Sequence, residues 1–421
     1  MVNEIKACFR LTTSAKPEVD STEGTNLNQG SLALSRRKRE EAKKNAVFSL
    51  LEKPDAVFID GTLGTGGHTL AMLEAHSTCR VIAFDRDEDS MQFASQRLKE
   101  AGVLDRVHLV KGDFRHAPEL LEESFAGAVK PLFENLKIEM KSQGQSNAMR
   151  NACGFVDGAL IDAGMSLYQV TWAERGLSFR KDAPLDMRYD RRQEISAFDL
   201  VNRLSANELE DLLFKFTDER WARRIVAFIV ARRNHSTINT TSELSQLIEA
   251  AIPASVRNQT RVHPATKTFA ALRLAVNDEF WALEEGSWAL SSVLAHTARL
   301  IVLTYSSNED RVIKHTFRRL AGRPLEREQS RSRGDRKKKS RDLSSSRDFG
   351  NARSPLTLSL SLPYENADDP RLNSEWSTGF GTDWHMKIVT PKPIEPTPEE
   401  IASNPLSRSC KLRAVEKLCV D

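Results

Sequence analysis

The chain has 421 residues and a formal net charge of +3, with 40% hydrophobic and 28% charged residues. These values are typical of a folded protein in water, with a length that suits roughly two or three domains. No apolar run reaches the ~18 residues that a membrane-spanning helix needs, so we expect no membrane partner. The five cysteines are scattered without a CxxC pair or a Cys/His cluster, so neither a metal site nor a disulfide framework is expected.

Residues 1–45 are polar and end in the charge run RRKREEAKK. They predict a disordered leader. Lys6, Arg10 and Lys16, set among Ser and Thr, leave a weak mitochondrial presequence as the alternative, although Glu4 argues against it.

Five short runs rich in β-branched residues follow this leader. They are AVFID (56–60), RVIAFD (80–85), RVHLVKGD (106–113), GALIDAG (158–164) and RLIVLTY (299–305). Helix-like stretches separate the first four runs. Apolar strands that alternate with helices predict an α/β fold with a doubly wound parallel sheet covered on both faces.

The long interval before the fifth run has helical patterns, and it predicts a helical module inserted between two strands. Its segment DERWARRIVAFIVARR (218–233) has one apolar face and one arginine face. The apolar face holds Trp221, Ile225, Phe228 and Ile229. The arginine face holds Arg220, Arg223 and Arg224, which either contact RNA phosphates or are simply solvated.

The chain therefore divides into a core in two parts and an insertion. We place the core at 46–171 and 286–320 and the helical, substrate-binding insertion at 172–285. Residues 321–381 are basic and Ser-rich, which predicts a disordered linker. Residues 382–421 contain WHMKIVTPKP, which predicts a last strand.

The stretch VFIDGTLGTGGHTLAML (57–73) runs from a strand through glycines into a helix, as in nucleotide-binding folds. The dinucleotide fingerprint GxGxxG is incomplete here, because the sixth position counted from Gly64 is Thr69. S-adenosylmethionine (SAM) has no pyrophosphate, so it does not need the complete dinucleotide fingerprint. Its methionine part must lie close to the protein backbone, which a glycine loop allows. An NAD-dependent oxidoreductase is the disfavoured alternative.

Acidic residues end three of the predicted strands. Asp85 is the last residue of VIAFD and can accept hydrogen bonds from both hydroxyls of a ribose, which SAM and NAD share. Asp113 and Phe114 could border an adenine ring, or could form an ordinary turn and a core phenylalanine. Asp162 lies where ligands bind in open α/β folds, although the Asp/Asn-Pro-Pro-aromatic tetrad of many amino-methyltransferases is absent.

The segment AERGLSFRKDAPLDMRYD (173–190) closely resembles the signature of the MraW-type ribosomal RNA methyltransferases, which modify the N4 amine of a cytidine in small-subunit rRNA. DGTLGTGGHT, FDRD, DERWARRI, HPATKTFAALRLAVNDE and EDRVIKHTFR resemble the same family in the same order. The tail NPLSRSCKLRAVEK (404–417) is similar to its carboxyl-terminal motif. The resemblance implies a class I SAM-dependent methyltransferase with an inserted helical domain, and rRNA or the assembling small subunit as partner.

The resemblance also implies a set of cofactor-binding residues. They are Gly66, Gly67, His68, Asp85, Phe114, Asp162 and Gln169. For the reaction, a cytosine amine must lose a proton as positive charge develops on it. The candidate catalytic residues are Asp162, Asp186 and Asn277; Glu309 and Asp310 could line the same cleft.

Two loops depart from the family pattern. MSLYQ (165–169) keeps Gln169 but changes its neighbours, and TYSSNEDR (304–311) has Ser306 in place of a histidine. A catalytically silent rRNA-binding assembly factor therefore remains the alternative. The long Ser/Arg insertion favours a eukaryotic, mitochondrial member in the matrix, with a cytoplasmic location as the alternative.

Overall fold

A computed structural model of the chain describes residues 55–126, 154–165, 175–257, 259, 262–323, 362–363 and 384–419. Seven strands form one sheet in this part of the chain. They are β1 (Val57–Asp60), β2 (Arg80–Asp85), β3 (Val107–Lys111), β4 (Val156–Asp162), β5 (Leu294–Thr304), β6 (Trp384–Ile388) and β7 (Lys411–Cys419). The spatial order is β3-β2-β1-β4-β5-β7-β6.

Twelve α-helices accompany these strands within the described residues. Around the sheet lie α1 (Gly67–Ala75), α2 (Glu88–Glu100), α3 (Ala117–Ala126), α10 (Glu279–Val293), α11 (Ser307–Leu320) and α12 (Pro398–Ser403). Between β4 and α10 come α4 (Ala197–Arg203), α5 (Ala206–Thr217), α6 (Ala222–Arg233), α7 (Thr241–Ala251), α8 (Ala254–Arg257) and α9 (Thr266–Val276). Short 3₁₀ helices cover Leu104–Arg106, Phe114–His116 and Pro405–Ser409.

Strand direction confirms the predicted α/β, class I methyltransferase architecture. Strands β3, β2, β1, β4 and β5 are parallel, and β7 is antiparallel to both β5 and β6. The sequence predicted the first five strands and β6. It did not predict β7, which the family tail motif forms.

Successive residues of the central strands point to opposite faces of the sheet, as strand geometry requires. Ile59 of β1 packs in a cluster with Leu121 of α3, while its neighbour Phe58 packs with Leu73 of α1. Both faces are therefore covered, which explains why these strands read as continuous apolar runs.

The predicted faces of the segment at 218–233 are confirmed. Ile225 and Ile229 of α6 are fully buried, and Trp221 and Phe228 pack partly buried against the same core. The arginine face is exposed to solvent. Burial of one stripe explains why this helix forms within a bundle.

The end of the insertion consists of two helices with a break between them. Helix α9 ends at Val276 with Asn277 as its C-cap, and Asp278 adopts a left-handed conformation with φ 50° before α10 begins. Helix α10 then runs into β5 without a loop, and nearly all its residues are buried. The predicted boundary at residue 285 falls inside α10, which packs on the core; the domain division as a whole stays a prediction.

A buried ion pair joins the first described residues of the insertion to the core. The guanidinium of Arg175 lies 2.8 Å from Asp87 Oδ1 and also pairs with Asp89. Asp87 caps α2 by accepting a hydrogen bond from the Asp89 backbone amide. The side chains of Arg175 and Asp87 are 5% and 1% exposed, so each neutralises a charge that water does not reach.

The sequence also led to expectations about membrane spans, metals and cysteines. No helix among the described residues is long and apolar enough to cross a bilayer, and no group of Asp, Glu, His and Cys residues there could hold a metal ion. Cys419 is disulfide-bonded, which the scattered cysteines did not indicate. The predicted leader, Gln169 and most of the linker at 321–381 lie outside the described residues.

Candidate active site

A cavity of about 490 Å³ opens at the carboxyl ends of the parallel strands. The loops after β1, β2, β3, β4 and β5 all contribute to its wall. Residues of α9 and α10 form the side of the cavity that we call its upper wall. This volume lies within the range of ligand-binding clefts. The position is the one at which open α/β sheets bind ligands.

The glycine loop after β1 forms one wall. Gly66 begins α1 with φ 75°, and a Cβ there would lie 3.3 Å from the Cβ of Ala94. Asp60 braces this loop from beneath, since its carboxylate accepts hydrogen bonds from Thr62 N at 3.1 Å and Thr69 Oγ1 at 2.7 Å. Burial raises the pKa of Asp60. The glycine pattern predicted the loop, but not the bracing role of Asp60.

Asp85 lies at the end of β2, with its carboxylate on the cavity wall. Its Oδ2 accepts a hydrogen bond from Gly64 N at 2.8 Å, and its Oδ1 accepts one from Asp87 N at 2.9 Å. Burial raises its pKa to about 6 despite these two bonds. Each oxygen keeps a second lone pair, so the carboxylate can still accept hydrogen bonds from a diol.

Phe114 lies on the wall beyond β3 and packs against α10 at Gly286. Gly286 is needed there, since a Cβ would lie 2.0 Å from the Phe114 ring. The carboxylate oxygens of the neighbouring Asp113 are not available to a ligand. Its carboxylate pairs with Arg86 and Arg115, which lower its pKa although burial acts against them.

Asp162, at the end of β4, also lines the cavity. Its Oδ2 lies 3.4 Å from Nδ1 of His68, which is 7% exposed and belongs to the first turn of α1. The backbone amide of Asp162 donates to Thr62 Oγ1 at 2.8 Å. The structure thus brings together Gly67, His68 and Asp162, three residues of the predicted cofactor set, and adds a side-chain contact that the sequence did not reveal.

The upper wall carries a charged cluster that sequence reasoning largely missed. Arg273 of α9 binds both carboxylate oxygens of Glu279, through Nε at 2.8 Å and Nη2 at 3.1 Å. Tyr189 donates its hydroxyl to Glu279 Oε1 at 3.1 Å. Glu309, at the start of α11, lines the same cavity, where the sequence had suggested it together with Asp310; Asp310 instead pairs with Arg413 of β7. The motif HPATKTFAALRLAVNDE was the available signal, because an arginine and two acids stand in it without an assigned partner.

Two predicted catalytic residues do not line the cavity. Asp186 is held by Arg188, whose Nε and Nη2 donate to its two oxygens at 2.6 and 3.0 Å. Asn277 is fully buried and braces the chain: its amide accepts from Tyr189 N at 2.8 Å and donates to Met187 O at 2.8 Å. Both side chains thus fix the loop that carries Tyr189 to the cavity.

Comparison with known proteins decides the family. The sequence profile of the MraW methylase family matches residues 43–340. The chain belongs to this family. A protein named ribosomal RNA small subunit methyltransferase H, from Geotalea daltonii, is 36% identical over 371 residues, which cover 88% of this chain and 95% of that protein. Its namesake from Halothermothrix orenii is 34% identical over 376 residues, covering 89% and 96%.

Solved structures add nothing to this assignment. A SAM-dependent O-methyltransferase from Thermotoga maritima matches with a TM-score of 0.25 and 8% identity, over 71% of this chain and 52% of that chain. That similarity is too remote to support an argument.

Membership of a methylase family confirms the predictions of a methyltransferase and of SAM as its cofactor. The residues of the cavity fit such a cofactor. Asp85 offers a carboxylate to a ribose, the loop at Gly66 offers approachable backbone, and Phe114 offers an aromatic wall. A nicotinamide cofactor is disfavoured, because the loop lacks the third glycine that close helix–strand packing requires.

Proposed function

We propose that this protein transfers the methyl group of SAM to the N4 amine of a cytidine in small-subunit ribosomal RNA. The observation that carries the proposal is one cavity that joins the Asp85 wall to the carboxylates of Asp162 and Glu309. The names of the two relatives, at 36% and 34% identity, support rRNA as the acceptor.

The cofactor site that we propose consists of Gly66, Gly67, His68, Asp85 and Phe114, together with Asp162. Gln169 belongs to the same proposal on its sequence position alone. When bound, SAM supplies an electrophilic methyl group on a positively charged sulfur. Asp85 then holds the ribose, and the glycine loop leaves room for the methionine part against its backbone.

Asp162 is the proton acceptor that we propose for the target amine. The lone pair of a cytosine amine is delocalised into its ring, so the site must orient the amine and receive a proton as charge develops. Asp162 meets the geometric condition, since it lines the cavity at the end of β4. Asp186 and Asn277 remain weaker candidates, because their polar atoms are used to brace the loop at Tyr189.

Ser306 replaces a family histidine and has a clear structural role here. Its side chain accepts the Glu309 amide and so begins α11, while the Glu309 side chain accepts the Ser306 amide. This reciprocal cap accounts for the serine without requiring the loss of activity that the silent-factor alternative invokes.

The decisive experiment measures transfer of label from SAM to small-subunit rRNA by the wild type and by Asp162→Asn. We expect the wild type to label the RNA and the variant to label it far more slowly, each at a SAM concentration that saturates it. RNA binding and SAM binding without transfer by the wild type would instead identify the silent assembly factor.

A mitochondrial matrix location is a further part of the proposal. It is supported only by the basic residues near the amino terminus and by the Ser/Arg-rich linker. The relatives described above give it no support. Imaging of a carboxyl-terminal fluorescent fusion tests it, and diffuse cytoplasmic fluorescence would contradict it.

A further inference from the structure

Two charged side chains on the cavity wall, Glu309 and the partly buried Arg273, each keep one polar atom that the described part of the fold does not bond. Glu309 is 5% exposed, and both backbone amides that it binds, those of Tyr305 and Ser306, donate to its Oε2. Arg273 uses Nε and Nη2 for Glu279. Within the described residues, no hydrogen bond engages Glu309 Oε1 or Arg273 Nη1.

These two groups form a donor and an acceptor on one cavity wall. Both residues line the cavity, and each shifts the pKa of the other. No ion pair joins Arg273 to Glu309 in the described part of the chain, where Arg273 pairs with Glu279. A ligand that covers these atoms must also bond to them, since burying an unpaired polar atom costs free energy.

Their pattern is complementary to one nucleobase edge. Cytosine presents an amine donor at N4 beside an acceptor at N3, and uracil presents the reverse at the same two positions. A carboxylate beside a guanidinium therefore suits cytosine and opposes uracil. Flipped bases are commonly read by hydrogen bonds to this edge.

We propose that Glu309 and Arg273 read the target base, with Glu309 accepting from the N4 amine and Arg273 donating to N3. This inference rests on the proposed function, because it takes cytidine as the acceptor. In this proposal Glu309 and Arg273 select the base, and Asp162 accepts the proton. Tyr189 and Glu279 hold the Arg273 guanidinium in position through the contacts described above.

The variant Glu309→Gln tests the acceptor without removing the helix cap. Glutamine also completes a capping box, so its carbonyl oxygen can serve the backbone amides of Tyr305 and Ser306. Its NH₂ group then occupies the place of Oε1, which puts a donor where an acceptor stood. The preferred base should shift from cytosine toward uracil, which a merely structural role of Glu309 would not produce.

The measurement is binding of the SAM-free full chain to a short oligoadenylate carrying one central cytidine or one central uridine, by fluorescence anisotropy. We expect the wild type to prefer cytidine by roughly 10- to 100-fold, the range of a good two-bond contact to a base edge. Glu309→Gln should lose at least most of that preference. Ser306→Ala, which weakens the same cap but keeps the carboxylate, should retain it.

A second measurement uses only the wild-type protein, so it does not depend on a variant folding. Replacing the central cytidine by 3-deazacytidine exchanges the N3 acceptor for a C–H group. We expect binding to weaken roughly tenfold, the lower part of the same range.

Equal binding of cytidine and uridine by the wild type, an unchanged preference in Glu309→Gln, or equal binding of 3-deazacytidine would each overturn the inference. None of these results depends on methyl transfer. The base-reading pair and the proposed function can therefore fail separately.

Discussion

Asp85 gives the cofactor site a pH dependence whose direction follows from its surroundings. Burial raises the pKa of this carboxyl to about 6, from the usual 3.8 of an aspartate. A ribose diol donates hydrogen bonds, so binding requires the ionised carboxylate, which predominates above pH 6. SAM affinity should therefore rise with pH through this value and fall below it.

The expected size follows from the fraction of Asp85 that is ionised. A group with a pKa of about 6 is roughly one-tenth ionised at pH 5 and roughly nine-tenths ionised at pH 7, so the dissociation constant of SAM should rise roughly tenfold on acidification between them. Isothermal titration calorimetry across pH 5 to 8 measures this, with circular dichroism at each pH to establish that the fold persists.

Asp60 and Glu309 also have raised pKa values in the cavity region. The variant Asp85→Asn shows whether the pH dependence of SAM binding comes from Asp85 and not from either of them. The variant should bind SAM roughly 10- to 100-fold more weakly at pH 7, the cost of losing hydrogen bonds to a charged group. Its affinity should no longer change through pH 6. A flat wild-type profile, or a variant that keeps the wild-type profile, would refute the reasoning.

Three other perturbations follow from the same geometry. Gly286→Ala places a Cβ 2.0 Å from the Phe114 ring, so calorimetry should show SAM binding weakened roughly tenfold; unchanged affinity would remove Phe114 from the site. Arg175→Met leaves a buried carboxylate unpaired and should lower the free energy of unfolding by ~3–5 kcal/mol in urea. Arg191→Met, whose side chain is 61% exposed, should cost under ~1 kcal/mol, and equal losses would contradict the burial argument. Asp162→Asn should slow methyl transfer roughly 100-fold or more in single-turnover assays at saturating SAM, whereas a wild-type rate would exclude it as the proton acceptor.

The elements that the sequence predicted best are those with a strong local signal. The parallel strands are buried on both faces, so they appear as apolar runs, and the glycine loop is one continuous segment. Strand β7 carried no such signal, because Lys411, Arg413 and Lys417 interrupt its apolar residues. Arg413 pairs with Asp310 of α11, which shows why a charged residue could enter the sheet.

The site was predictable where one segment forms it or where the ends of parallel strands meet. Asp85 and Asp162 end strands, and sheet geometry alone brings them to one edge. Arg273, Tyr189 and Glu309 come from three distant segments, so no spacing in the sequence could place them on one wall. Asn277 shows the opposite error. It stands in a conspicuous motif, yet its side-chain amide bonds to the backbone of the loop at Tyr189 and does not reach the cavity.

The most direct test of the central claim, that this cavity methylates a cytidine amine, is to identify the atom that receives the methyl group. Small-subunit rRNA is incubated with the protein and SAM that carries a trideuterated methyl group, then digested to nucleosides for mass spectrometry. We predict trideuteromethyl-N4-cytidine as the labelled product. Label on a different nucleoside or on a ribose, or no label in RNA while SAM binds, would contradict the account.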